Sequence, residues 1–175
     1  MMKRTRWLVA GLALAIILSM TWIAVAQDDI AKHPACKYCG MDRKTFAHSR
    51  MLVTYEDGSQ VGTCSIHCTA VELALAIDKT PTALQVGEFK TKGLIDAETA
   101  AWVVGGTRQG VMTKRAKWAF GSRPDAEAFV KESGGSQATF DQAMKASYED
   151  MYADTKMIRE KRKMMKQKMQ QQHKH

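Results

Sequence analysis

The sequence predicts an α+β fold of two small related units, the first carrying a cysteine-rich metal knuckle, followed by a C-terminal tail that is helical or disordered. Three observations carry that expectation. A strand, a second strand and a helix follow one another twice along the chain. All four cysteines fall in the first of these repeats, within residues 36–78. From residue 143 to 175 the composition turns to Met, Lys and Gln, which favour helix but supply little to a core.

Taken in order, residues 1–26 read as a secretory signal. Lys3, Arg4 and Arg6 precede an apolar run from Trp7 to Ala26, which ends in the small residues Ala24, Val25 and Ala26. An uncleaved anchor is the alternative, since about 20 apolar residues can span a bilayer. No cysteine follows the expected cleavage point, so no acylated amino terminus is expected. Both readings place the remainder in the periplasm or another extracytoplasmic space, with anchoring in the inner membrane if the signal is retained. Residues 27–142 then form one domain, with unit one at 33–80 and unit two at 90–142.

In unit one, Arg50 to Tyr55 reads as a strand. Glu56-Asp57-Gly58-Ser59 supplies a hairpin turn with an Asp-Gly pair, and Gln60 to Thr63 is the return strand. From Ser65 to Ile77 the apolar pattern is helical, until Pro81 forbids continuation. In unit two, Ala100 to Val104 and Lys117 to Phe120 read as strands. Ser122 caps a helix that has Pro124 in its first turn and stops at Gly134-Gly135.

The chemistry lies in Cys36-Lys-Tyr-Cys39-Gly40-Met41 and, after an intervening hairpin, Cys64-Ser-Ile-His-Cys68. Thiols two residues apart can face one point, and Gly40 allows the backbone angles such a knuckle needs. Cys64 and Cys68 straddle a strand-to-helix junction at a spacing that shares one helix face. Knuckle, hairpin and helix start together are a recurrent way to build a four-thiolate site. Zn(II) suits four thiolates. Thiolate with thioether favours Cu(I), and Met41 stands two residues beyond Cys39 in a chain with twelve methionines. Disulfides or thiol redox chemistry remain a third reading in an oxidising compartment. Haem attachment is excluded, because Gly40 stands where a histidine is required.

These residues resemble the NosL family of nitrous-oxide-reductase accessory proteins, whose signature is Cys-x-Tyr-Cys-Gly-Met. The resemblance continues through Ala100 to Gly105, Gly110-Val111-Met112, Ala116 to Phe120, Asp125 to Phe129, Gly134-Gly135 and Thr139-Phe140-Asp141. It implies two ββαβ-like units and a Cu(I) chaperone. The implied partner is a periplasmic copper apo-enzyme, such as nitrous oxide reductase, or its assembly machinery. It also implies Cys36, Cys39 and Met41 as ligands, with Met112 from the second unit completing or gating the site. The chain departs from the family pattern in lacking an acylated cysteine, in carrying the Cys64/Cys68 pair and in its tail.

His67 and His48 are weaker ligand candidates, and His33 also flanks the first motif. Met157, Met164, Met165 and Met169, with His173 and His175, could collect metal, dock a partner or simply form a solvated extension. The net charge is +8. The signal carries +3 of it and residues 151–175 carry +6, which leaves the body at −1. A nearly neutral body excludes a nucleic-acid groove. The basic tail, or an uncleaved signal, offers a membrane contact instead. No nucleophile with a positioned base and no phosphate loop is apparent, so no enzymatic activity is expected.

Overall fold

The structure, a computed structural model, describes residues 28–172. The signal expected at 1–26, together with His173 and His175, lies outside the described residues. No described helix is long and apolar enough to cross a membrane.

A short helix α1 (Asp28–Lys32) leads through the Cys36–Met41 loop into β1 (Met51–Tyr55) and β2 (Gln60–Thr63). Then come α2 (Ile66–Leu75), β3 (Pro81–Gly87) and β4 (Leu94–Asp96). The second half runs β5 (Ala101–Val104), β6 (Lys117–Phe120), α3 (Arg123–Ser133), β7 (Ser136–Ala138) and α4 (Phe140–Gln172). The first sheet is ordered β2-β1-β3-β4 and the second β6-β5-β7. All pairings are antiparallel. The expectation of an α+β fold with two sheet-bearing units and a C-terminal helix therefore holds.

Local chemistry sets the elements where the sequence signals them. In the β1–β2 turn Gly58 adopts φ +77°, Gly58 N donates to Tyr55 O, and Asp57 Oδ1 accepts from Ser59 N. That is the conformation an Asp-Gly pair supplies cheaply. Ser122 caps α3, its Oγ accepting from Asp125 N, and Gly134 at φ +72° ends the helix. Strands β3, β4 and β7 carry no clear period in the sequence. Two of them have three residues each, and they form because a neighbouring strand offers an edge. The first sheet thus runs on to Asp96.

The core has two parts that meet across β5. Trp102 packs with Met51, Val53, Tyr55, Leu84, Val86 and the start of α4. Its neighbour Val103 points the other way, into a cluster of Cys36, Cys64, Cys68, Trp118, Phe120 and Phe129. The alternation of a strand thereby joins the cysteines of the first unit to the sheet of the second.

Two buried ionic nodes fix the remaining segments. Asp29 of α1 accepts from both Arg43 and Arg50 at 2.8–2.9 Å, and all three are nearly inaccessible. Arg43 also donates to the carbonyls of Asp29, His33, Met51 and Thr63. The loop after the first cysteine pair is thereby tied to both hairpin strands. At the other side, Asp150 of α4 accepts from buried Lys117 at 2.6 Å and from Arg115 at 2.9 Å, while Asp154 accepts from Lys114 N.

Of the helical and disordered alternatives for the tail, its described residues take the helical one. α4 is one continuous helix to Gln172, although residues 159–172 are exposed throughout. The packed turns at 140–158 supply the nucleus, and good helix formers can propagate from it without further tertiary contact.

Candidate metal centre

The cysteine pairs are delivered by different devices. Cys36 and Cys39 sit in a tight loop closed at its base by the Ala35–Asp42 bridge. Within it, Cys36 N donates to Met41 O and Gly40 N donates to Cys36 O, both at 2.9 Å. Gly40 adopts φ +73°, the region that glycine occupies without penalty. Cys64 follows β2 directly, and Cys68 lies in the first turn of α2.

Together they put four free thiols in one place, with all sulfurs within 4.8 Å of one another. Cys39 Sγ lies 3.4 Å from Cys64 Sγ, and Cys64 Sγ lies 3.8 Å from Cys68 Sγ. A tetrahedral ion with bonds of about 2.3 Å to sulfur spaces its ligands about 3.8 Å apart. The cluster is therefore already near the shape that a soft or borderline cation requires. Cys36, Cys64 and Cys68 are buried, and Cys39 is the partly exposed member.

Charge is unevenly shared among the thiols. Contacts with Cys39, and then with Cys64 and Cys68, draw Cys36 well below the ordinary thiol range. Cys39 is raised by Cys36, but Cys64 and Cys68 outweigh that and lower it. The same contacts push Cys64 and Cys68 far up, through Cys36 first and then Cys39. The four thiols thus share their protons through sulfur–sulfur contacts between the loop and the α2 side. A bound cation would displace those protons.

A buried carboxylate positions the loop. Glu72 of α2 accepts from Tyr38 Oη at 2.6 Å, Lys37 Nζ at 2.9 Å and Tyr55 Oη at 2.8 Å. Burial pushes Glu72 up, but these hydrogen bonds prevail and leave it below the usual carboxylate value. Tyr38 lies between Cys36 and Cys39, so Glu72 sets the loop's orientation toward α2. The sequence reading passed over Glu72. Its signal was available: Glu72 is four residues beyond Cys68 and shares that residue's helix face.

Met41 and Met112 pack in the same apolar cluster as the cysteines. With Cys39, Gly40 and His48 they line a groove of about 610 Å³. Met112 adopts φ 61°, a region that a residue with a long side chain seldom occupies. His48 packs against Phe46, Phe89 and Trp118 on the groove's far side, and burial lowers its pKa. His67 is not brought to the sulfurs. Its Nδ1 lies 3.7 Å from Asp154 Oδ2, burial holds its pKa down, and both atoms lack a hydrogen-bond partner. His33 turns toward Gly62, where its Cβ would meet any added side chain. Among the described residues, the metal-ligating group drawn from His, Cys, Asp and Glu is the four cysteines.

The other side of the groove is α4, through Met157, Ile158, Lys161, Arg162 and Met165. Arg162 donates to the Cys39 carbonyl at 2.8 Å.

The NosL family model matches residues 27–148, more than half of the chain. The chain belongs to the NosL family. Among solved structures it is similar to the crystal structure of the copper chaperone NosL from Shewanella denitrificans, at a TM-score of 0.51 and 22% identity. That likeness covers 62% of this chain and 87% of the other, and it shows a shared fold. No curated protein matches the chain. The NosL match ends at residue 148, so most of α4, including its groove-lining face, lies beyond it.

Proposed function

We propose that this NosL-family protein is an exported Cu(I) carrier that works outside the inner membrane. It delivers copper to a periplasmic copper apo-enzyme, such as nitrous oxide reductase, or to that enzyme's assembly machinery. The observation that carries the reading is the asymmetry of the sulfur cluster. Three thiols are buried, while Cys39 stands at the edge of a methionine-lined groove. A soft monovalent ion held by few sulfurs can pass to an incoming ligand through a shared intermediate, and a half-exposed cysteine is where that exchange begins. The similarity to a solved copper chaperone supports the same reading. The protein is then a carrier with the metal as cargo, not an enzyme.

The burial of Cys36, Cys64 and Cys68 favours a second reading, a structural Zn(II) knuckle, because closed four-sulfur sites are characteristic of structural zinc. Competitive titration of the reduced protein with Cu(I) and Zn(II), each against a chelator, separates the two. The carrier reading expects one tight Cu(I) that Cys36→Ser with Cys39→Ser weakens by at least about 100-fold, or about 2.7 kcal/mol. Unchanged Cu(I) affinity in that variant would end the carrier reading. Tight zinc coupled to a gain of structure would assign the cysteines to the fold.

A further inference from the structure

The groove over Cys39 holds more methionine than the four-thiolate site accounts for. Four methionines from three separate parts of the chain line it: Met41 from the cysteine loop, Met112 from the loop before β6, and Met157 and Met165 from α4. Met157, Lys161 and Met165 are successive i, i+4 positions, so one helix face presents both thioethers to the groove. Met165 is 64% exposed, which removes core packing as the reason for its side chain. The alignment of α4 over the loop is fixed at several points. Asp150 and Asp154 hold the helix to the Lys114–Lys117 segment, and Arg162 closes onto the Cys39 carbonyl.

We propose that Met157 and Met165 of α4, with Met41 and Met112, form a second soft-metal site. It is a thioether relay for Cu(I) between solvent or a partner and the buried thiolates. This rests on the carrier reading and adds to it the path the ion takes. Thioethers are neutral and soft, so they bind Cu(I) or Ag(I) and leave hard divalent cations alone. Lys161 and Arg162 in the same lining disfavour divalent ions further. Their charge also keeps the relay weak, so that an ion is handed on to Cys39 at the groove's edge and the thiol cluster behind it, and does not rest in the groove. Met112, whose backbone is held at φ 61°, faces the relay from the second unit. Strain of this kind persists where surrounding structure enforces a side-chain position.

The test uses the reduced full chain in detergent, carrying 13C-methyl methionine, and Ag(I) as a redox-inert stand-in for Cu(I). The first equivalent should produce thiolate-to-silver absorption. The second should bind on the order of 100-fold more weakly and shift the methyl resonances of Met157, Met165, Met41 and Met112. Met164 and Met169, which do not line the groove, should stay in place. In the Met157→Leu, Met165→Leu double variant the second equivalent should be lost and the first retained. Leucine keeps the apolar volume, so a purely packing role would survive this change. A normal thiolate signal with unmoved Met157 and Met165 methyls, or a second equivalent undiminished in the double variant, overturns the relay alone. An absent thiolate signal overturns the carrier reading, and the relay with it.

Discussion

At residue 62 a hydrogen side chain is obligatory. A Cβ there would lie 2.6 Å from His33 Cβ and 2.7 Å from the Arg43 guanidinium, which is locked by four carbonyls and Asp29. Neither neighbour can move without releasing a buried charge. Gly62→Ala should therefore cost about 1–3 kcal/mol, read as a lower urea midpoint with an unchanged slope. Gly40 presents the opposite case. Nothing lies within 4 Å of an added Cβ, so its requirement is purely the positive φ. Gly40→Ala should cost about 1 kcal/mol through the backbone alone. Gly40 was legible in the sequence, because a cysteine knuckle implies it. Gly62 was not, because the packing that excludes a side chain comes from Arg43 and His33, both distant along the chain.

At the scale of elements, the cysteine loop and α2 are held in register by Glu72, and α4 by Asp150. Glu72→Gln keeps the shape but replaces a charged acceptor of two tyrosines and a lysine. Lys37 is half exposed and contributes less through screening. A loss of about 1–3 kcal/mol is expected, with weakened metal affinity because Tyr38 is no longer oriented. A calorimetric titration compared with thermal unfolding of the same variant checks both. Asp150→Ala would leave Lys117 buried, with Thr113 as its remaining hydrogen-bond partner among the described residues. It should cost about 2 kcal/mol, reduced from the fully buried case because Asp150 is itself partly exposed. Hydrogen exchange should show the loss first in α4. Three carboxylates share the same sign of shift. Burial raises Asp29, Glu72 and Asp150, but their cationic or hydroxyl donors prevail and each lies below its usual value. Their contribution is present above the unfolded value near pH ~4 and is lost as pH falls through the lower folded values. Stability should thus decline through these pairings below pH ~4, after an earlier decline that begins near pH ~6.5, where the unfolded chain takes up protons that burial denies to His48 and His67. A midpoint that instead rose on acidification would contradict these pairings.

Across the whole molecule, α4 is two things in one helix. Phe140, Ala143 and Ala146 are core residues, whereas residues 159–172 are exposed. A chain ending at Thr139 should fail to fold, since it opens the main core. One ending at Ile158 should keep its stability within about 0.5 kcal/mol. Circular dichroism and denaturant melts of the two truncations decide it. The second unit is equally necessary to the site, because Val103, Trp118 and Phe120 form the wall against which three of the cysteines pack.

The sequence by itself determined the elements whose causes are local. These are the β1–β2 hairpin through Asp57-Gly58, the Ser122 cap, the stop at Gly134 and the loop geometry at Gly40. Each rests on a few neighbouring residues and a backbone preference, so no distant partner is needed to read it. The order of motifs also carried the family. Only the tertiary structure decided which cysteine stands at the surface and that His67 faces Asp154 and not the sulfurs. It alone made Glu72 a positioning group and laid the tail, as a helix, along a methionine-lined groove. The edge strands β4 and β7 belong with these, because an edge strand exists by virtue of its neighbour. In every such case the cause is a contact between residues far apart in the chain, and periodicity, capping and spacing hold no information about which distant surfaces will meet.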